Sequence, residues 1–386
     1  MNQQPGSIDL PDKKLYGLDH LRALAITLVL LFHYQIFSHP KWIEAAGKFG
    51  WTGVDLFFVL SGYLIASQLF FAIAKGNQIS FPEFFLKRFF RIIPAYIVVV
   101  IIYFCVPAFH EREALSPLWR FLTFTQNFGL DLSTRGTFSH SWSLCIEEQF
   151  YLLLPLILIG LVYFKKIKKG YIILIVLFVA GFIARITSWY LLVNPLHDSE
   201  NYWVAWDEFI YYPTYNRLDG LLTGVSIAAI FQFRPNMKKW ITDHAMLFFV
   251  AGIILLICSY FICIHEQSFI ASVFGFPLIS ISYGLIVIAA ICPSTFLYKT
   301  NSKITTNLAM LSYATYLTHK GVIHVAQQQL VKLGIPADGT LMFILCIVIA
   351  TLAALLMNKA IEKPFLKLRE KLLKKKQYSL QVQVKQ

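Results

Sequence analysis

The chain has 386 residues, of which 57% are hydrophobic and only 14% charged, with a formal net charge of +13. A soluble domain carries about 25% charged residues, and apolar segments recur here along nearly the whole length. A soluble globular protein is thereby excluded in favour of an all-α, polytopic membrane protein with one embedded domain. The positive charge is concentrated in alternate connections between apolar runs, a membrane pattern that argues against a nucleic-acid partner. The six cysteines show no paired spacing, so neither a disulfide framework nor a metal site is indicated.

Hydropathy predicts about ten transmembrane spans, near residues 16–36, 51–73, 92–109, 141–163, 171–193, 214–232, 245–263, 269–291, 307–326 and 340–358. Residues 1–14 form a short polar tail. The first span contains Arg22 and His33 with ten residues between them. Eleven helical steps make about three turns, so the two side chains share a face ~16 Å apart along the axis. Ionisable groups inside a membrane helix are costly and normally mark a site or pathway. A snorkelling Arg near one interface and a packed neutral His near the other would give the same spacing. Lys13 and Lys14 before an apolar run, with Ala45-Ala46-Gly47 beyond it, also resemble a secretion signal and its cleavage site. The run is long for such a signal, holds Arg22 and His33, and ends well before that site; it reads as a retained first span.

The second span places Asp55 near its start. Lys87-Arg88-Phe89-Phe90-Arg91 then leads into the third span, and Arg88 and Arg91 at i, i+3 share a face if this segment is helical. Guanidinium forks suit phosphates, although basic residues at a cytoplasmic helix entry are also ordinary topology signals. The long connection at 110–140 holds Trp119, Arg120, Gln126, Asn127 and Arg135, and is a candidate for partial insertion into the bilayer. The fourth span opens through Trp142 and Ser143 to Glu147 and Glu148. The connection at 194–213 combines Tyr202, Trp203, Trp206, Tyr211 and Tyr212 with four acids and no Lys or Arg. Aromatic faces pack on sugar rings and acids accept hydroxyl hydrogen bonds, but an interfacial aromatic belt has a similar composition. The sixth span opens with Arg217-Leu218-Asp219, and the ninth reaches His319. From residue 365 a Lys-rich end carries Leu366, Leu368, Leu372 and Leu373 opposite its lysines, the pattern of an amphipathic surface helix.

Lys and Arg are concentrated in the connections after the second, fourth, sixth and eighth spans and at the C-terminal end. The positive-inside rule therefore puts both termini in the cytoplasm: a tail at 1–14, a transmembrane domain at 15–364, and a basic tail at 365–386 suited to anionic lipid. With that topology His33, Asp55, Glu147, Glu148, Arg217, Asp219 and His319 fall near one depth. They are expected to form a polar cavity open to the outer face, with Trp142 and Ser143 beside it. Arg22 falls at the inner end, near Arg88 and Arg91. A His beside a carboxylate is the minimum for general-base chemistry on a hydroxyl. The same residues also suit an ion-coupled transporter, or a charge network that only holds helices together.

These pieces together resemble integral-membrane acyltransferase family 3, bacterial proteins that acylate surface glycans and other acceptors. The resemblance runs through Leu18-Asp19-His20-Leu21-Arg22-Ala23-Leu24-Ala25 with His33, Gly53-Val54-Asp55-Leu56-Phe57-Phe58-Val59-Leu60-Ser61-Gly62, and Arg88-Phe89-Phe90-Arg91-Ile92-Ile93-Pro94. It continues in Ser141-Trp142-Ser143-Leu144 with Glu147-Glu148-Gln149-Phe150-Tyr151, Arg217-Leu218-Asp219-Gly220, Leu311-Ser312-Tyr313 with Tyr316 and His319, and Glu362-Lys363-Pro364. It implies a ten-span enzyme of the bacterial inner membrane that moves an acyl group, most often acetyl, from cytoplasmic acyl-CoA to an acceptor at the outer face, without a metal. His33 maps onto the family's catalytic histidine and Glu147 onto the Glu of its Trp-Ser-Leu motif; Arg22, Arg88 and Arg91 are expected to hold the CoA. His33 is expected to be oriented by Glu147 or Asp55. His20 departs from the family's usual Gly, and the esterase-like extracellular domain of some members is absent from this sequence. The acyl group would then pass directly to a glycan or lipid-linked saccharide, or to a separate periplasmic partner. Lipopolysaccharide, exopolysaccharide, peptidoglycan and secreted small molecules all remain open as acceptors, and a secondary transporter or flippase for an acyl or glycan precursor is the competing class.

Overall fold

The computed structural model describes residues 15–76 and 80–384; the predicted N-terminal tail, with Lys13 and Lys14, lies outside the described residues. Among the described residues the chain is helical with no strand, only an isolated bridge between Leu115 and Thr137. Each predicted span coincides with a helix: α1 (Tyr16–Tyr34), α2 (Gly53–Ala74), α3 (Phe81–Cys105), α4 (Trp142–Tyr163), α5 (Gly170–Ser188), α6 (Asp219–Phe233), α7 (Ala245–Ile262), α8 (Phe276–Ile291), α9 (Lys303–Lys332) and α10 (Thr340–Met357). A last helix, α11 (Lys363–Val384), follows. Among the described residues, seven segments are long and apolar enough to cross a membrane by length and composition. The three that fall short are α1, α6 and α9. They are the helices that carry Arg22 and His33, Asp219, and His319 with Lys320.

Local chemistry explains where the helices begin. Pro82 follows Ser80 into the first turn of α3, where a missing N–H costs nothing. The Ser302 side chain caps α9 by accepting from the Thr305 N–H. Packing then sorts the helices. α5 and α7 lie in segments whose apolar windows are only 11% and 17% buried, whereas that of α8 is 78% buried, so α5 and α7 form the outer shell and α8 the interior.

The most extensive helix contact is between α2 and α6, and two glycines bring their backbones together. A Cβ on Gly62 would land on the Leu221 backbone, and one on Gly224 on the Val59 and Tyr63 backbone. Small residues at such a crossing let two membrane helices meet backbone to backbone. α1 lies against both α2 and α9, and α9 against α10, so α1, α2 and α9 form the centre. The 110–140 connection turns into this bundle. Phe121 and Phe138 are fully buried, Phe138 stacks on Tyr103 with centroids 4.4 Å apart, and Gln126 and Asn127 bond to Ser141 and Thr214.

Gly224→Val should force α2 and α6 apart, lowering the thermal midpoint of detergent-purified protein by roughly 5 °C or preventing insertion. Gly160→Ala is the control: a Cβ there meets nothing within 4 Å, and the midpoint should stay within about 2 °C of wild type.

Candidate active site

Two cavities among the central helices adjoin at Val54. The first, of about 130 Å³, is lined by Arg22 of α1, Val54, Phe57 and Ser61 of α2, Arg88 and Arg91 of α3, Ser143, Glu147 and Tyr151 of α4, and Tyr313 and Tyr316 of α9. Arg88 and Arg91 are one helical turn apart, which brings both to the same wall. The Arg88 guanidinium donates to Gln68 Oε1 at 3.2 Å and lies 5.9 and 5.7 Å from the Phe84 and Tyr151 ring centroids. Glu147 accepts from the Ser61 hydroxyl at 2.8 Å and the Tyr151 hydroxyl at 3.3 Å. Three guanidinium groups face one carboxylate here, and the surplus of positive charge and forked donors suits a polyanion such as a phosphorylated ligand.

The second cavity, of about 50 Å³, is lined by His33, Trp51, Ser139, His140, Trp142, Tyr211 and Tyr212, and shares Val54 with the first. His33 Nδ1 lies 2.8 Å from His319 Nε2, and His319 Nδ1 lies 3.0 and 2.9 Å from the carbonyls of Thr315 and Tyr316. This chain of contacts determines the protons. Carbonyl oxygens only accept, so His319 Nδ1 carries hydrogen; the neutral ring then accepts at Nε2, and His33 must donate from Nδ1. A neutral His33 is left with a lone pair on Nε2, the form a general base requires.

The residues expected at one depth therefore separate into distinct groups. Glu147 lies with the arginines, not with His33: it is five residues beyond Trp142, ~7.5 Å further along α4. Glu148, the next residue, does not line that cavity. Asp55 is taken by Arg217, whose Nη2 donates to both carboxylate oxygens at 2.9 and 3.0 Å. Asp219 is taken by Arg185, whose Nη1 donates to Oδ2 at 2.6 Å. Both pairs are almost fully buried. Arg217 and Asp219 part company because Arg217 lies before α6, in the turn that follows Thr214–Asn216, whereas Asp219 opens the helix. The expectation that Glu147 or Asp55 orients His33 is thus corrected: the orienting group is His319. Trp142 lines the His33 cavity, while Ser143 lines the arginine cavity and bonds to the Tyr316 hydroxyl at 2.6 Å.

Four neighbours of the site were not singled out from sequence: His140, Arg185, Lys320 and Glu111. Arg185 is a lone charge in an apolar span, and that was its signal. Lys320, directly after His319, pairs with Glu111 Oε1 at 3.2 Å, and the same oxygen accepts from the Phe138 N–H at 3.1 Å. Among the described residues no His, Cys, Asp or Glu cluster is arranged to hold a metal ion. The Arg217 guanidinium also lies over the rings of Phe276, Tyr211 and Trp142, 4.0, 4.7 and 5.4 Å from their centroids. Asp55→Leu would strand that guanidinium in an apolar cage, with an expected loss of about 3–5 kcal/mol. Asp55→Leu combined with Arg217→Met should recover most of the loss, read as the unfolding midpoint of each variant in detergent.

The chain matches a family described as an acyltransferase domain over residues 15–359. A peptidoglycan O-acetyltransferase, OatA, of Listeria monocytogenes is 28% identical over 333 residues, covering 81% of this chain and 50% of that protein. The O-acetyltransferase OatA of Staphylococcus aureus is 28% identical over 370 residues, covering 92% of this chain and 57% of that protein. The chain therefore spans about half the length of these relatives. No solved structure matches it. The family match takes in α1 to α10, with both cavities between them, and the chain belongs to the membrane acyltransferases that carry this domain.

Proposed function

We propose that the chain is a membrane O-acetyltransferase that takes an acetyl group from acetyl-CoA on the cytoplasmic side and delivers it to a glycan hydroxyl on the outer side. The observation that carries this reading is the pair of adjoining cavities, one lined by three arginines and the other by a histidine with a free lone pair. All ten helices cross the inner membrane in this proposal, with both termini cytoplasmic, a topology that the distribution of Lys and Arg supports. Antiparallel neighbours then put Arg22, Arg88 and Arg91 at the cytoplasmic end and His33 toward the outside.

Each residue has a task that follows from its chemistry. The guanidinium groups of Arg22, Arg88 and Arg91 hold the donor's phosphates, and its thioester arm extends past Ser61 and Phe57 toward Val54. His33 Nε2 takes the proton of the acceptor hydroxyl as that oxygen attacks the thioester carbonyl. His319 keeps the His33 ring in the reactive tautomer. Trp142, Tyr211 and Tyr212 offer ring faces suited to a sugar, so part of the aromatic 194–213 connection serves the site while Trp203, 39% exposed, fits the interfacial belt. Peptidoglycan is the acceptor proposed, on the strength of the name of the Listeria relative. The hydroxyl belongs to the glycan or to a periplasmic partner that completes the delivery; the same base serves both.

Purified protein incubated with labelled acetyl-CoA and peptidoglycan fragments should release CoA and form an ester. Transport of label without CoA release would overturn the enzyme reading in favour of a transporter. His33→Ala should lower turnover by about 100-fold or more with normal insertion, and near-wild-type turnover would remove His33 as the base. Arg88→Ala should raise the KM for acetyl-CoA by about 10-fold with a smaller change in kcat; an unchanged KM would leave that arginine as a topology signal.

A further inference from the structure

His140 is buried, 2% exposed, in the short turn Ser139–Ser141 that leads into α4. Its ring lies near the Leu317 carbonyl, yet neither ring nitrogen has a partner of hydrogen-bonding geometry. Buried polar groups are normally satisfied, and each exception calls for a reason. The two histidines beside it are engaged. Its ring meets them edge-on, with centroids 5.7 Å from His33 and 5.0 Å from His319. It also lines the cavity that His33 lines.

The backbone of His140 is held while its ring nitrogens are left over. The Tyr316 hydroxyl reaches the His140 carbonyl at 2.5 Å and the Ser143 hydroxyl at 2.6 Å. The ring edge is packed against Phe138, at 5.1 Å. A neutral imidazole always carries one N–H, and here that N–H has no acceptor in hydrogen-bonding geometry, in the wall of the cavity where His33 is the proposed base. A base and an oxyanion donor acting on one acyl group must each lie about 3 Å from the reacting atoms, hence within ~6 Å of each other.

Resting on the reading of His33 as the base, we infer that His140 is a further catalytic residue, whose ring N–H binds the acyl carbonyl oxygen and carries its charge during transfer. In the first step the acceptor oxygen bonds to the acyl carbon, its proton passes to His33 Nε2, and the carbonyl electron pair moves onto the oxygen held by His140. In the second step that pair re-forms the carbonyl, the carbon–sulfur bond of the thioester breaks, and His33 returns the proton to the departing thiolate. The products are an ester and a free thiol.

Three variants test this, with His33→Ala measured beside them. His140→Phe keeps a ring against Phe138 and removes the donor; His140→Leu does so with less bulk, should Phe not insert; His140→Gln keeps an N–H on a different frame. With acetyl-CoA and peptidoglycan fragments, Phe or Leu should lower kcat by about 100-fold with donor and acceptor KM within about threefold, and Gln should recover at least tenfold of it. Wild-type kcat in Phe or Leu, an equal loss in all three variants, or a defect confined to acceptor KM would overturn the inference. If His33→Ala is inactive while His140→Phe is unaffected, only the role of His140 fails. If His33→Ala is active, the base assignment fails first.

Discussion

The hydrogen bond between His33 and His319 is the contact around which the centre of this protein is built. Two backbone carbonyls on α9 hold one ring, and that ring holds the other on α1. Carbonyls have no proton to give, so the direction of both hydrogen bonds is determined without a charged partner. A carboxylate in the same place would bring the desolvation cost of a buried ion. A helix backbone supplies the orientation instead, from oxygens already present in every turn. The contact also joins α1 to α9, and α9 in turn reaches α4 through Tyr316.

The buried ion pairs serve a different purpose. Asp55–Arg217 joins α2 to the entry of α6, and Arg185–Asp219 joins α5 to α6. Such pairs are weak evidence of net stability, because desolvation offsets their attraction, but a broken one is severely unfavourable. Arg217 also lies against Trp142 and Tyr211, two rings that line the His33 cavity. The ion pair is therefore the rear support of the aromatic wall.

How much of this was legible in sequence follows from what an apolar run encodes. Hydropathy gives the position of an apolar run along the chain, and each predicted span has a helix, seven of them in segments long and apolar enough to cross a membrane among the described residues. It does not give the rotation of a helix about its own axis. Arg88 and Arg91 were legible together because their relation is internal to one helix. Arg22, on another helix, was placed with them by depth, and that sufficed because all three face the centre. Asp55, Glu147, Arg217 and Asp219 share an expected depth, yet Asp55 pairs with Arg217, Asp219 with Arg185, and Glu147 with Ser61 and Tyr151. His140 was hidden for another reason: it sits in a turn rather than a span, and only the folded 110–140 connection encloses it. The hydropathy deficit of α1 and α9 is the clearest available signal, since polar groups tolerated inside a bundle are those with partners or with work to do; α6 is apolar and falls short only in length.

Val54 lines both cavities and is the one residue common to them. In the proposed topology one cavity faces the cytoplasm and the other the envelope, so this isopropyl group forms part of the septum between two aqueous compartments. A membrane with an open polar passage would leak protons and dissipate the gradient across it. An apolar side chain at that junction opposes the passage of hydrated ions, while in the proposed reaction the acetyl group crosses where the two cavities adjoin.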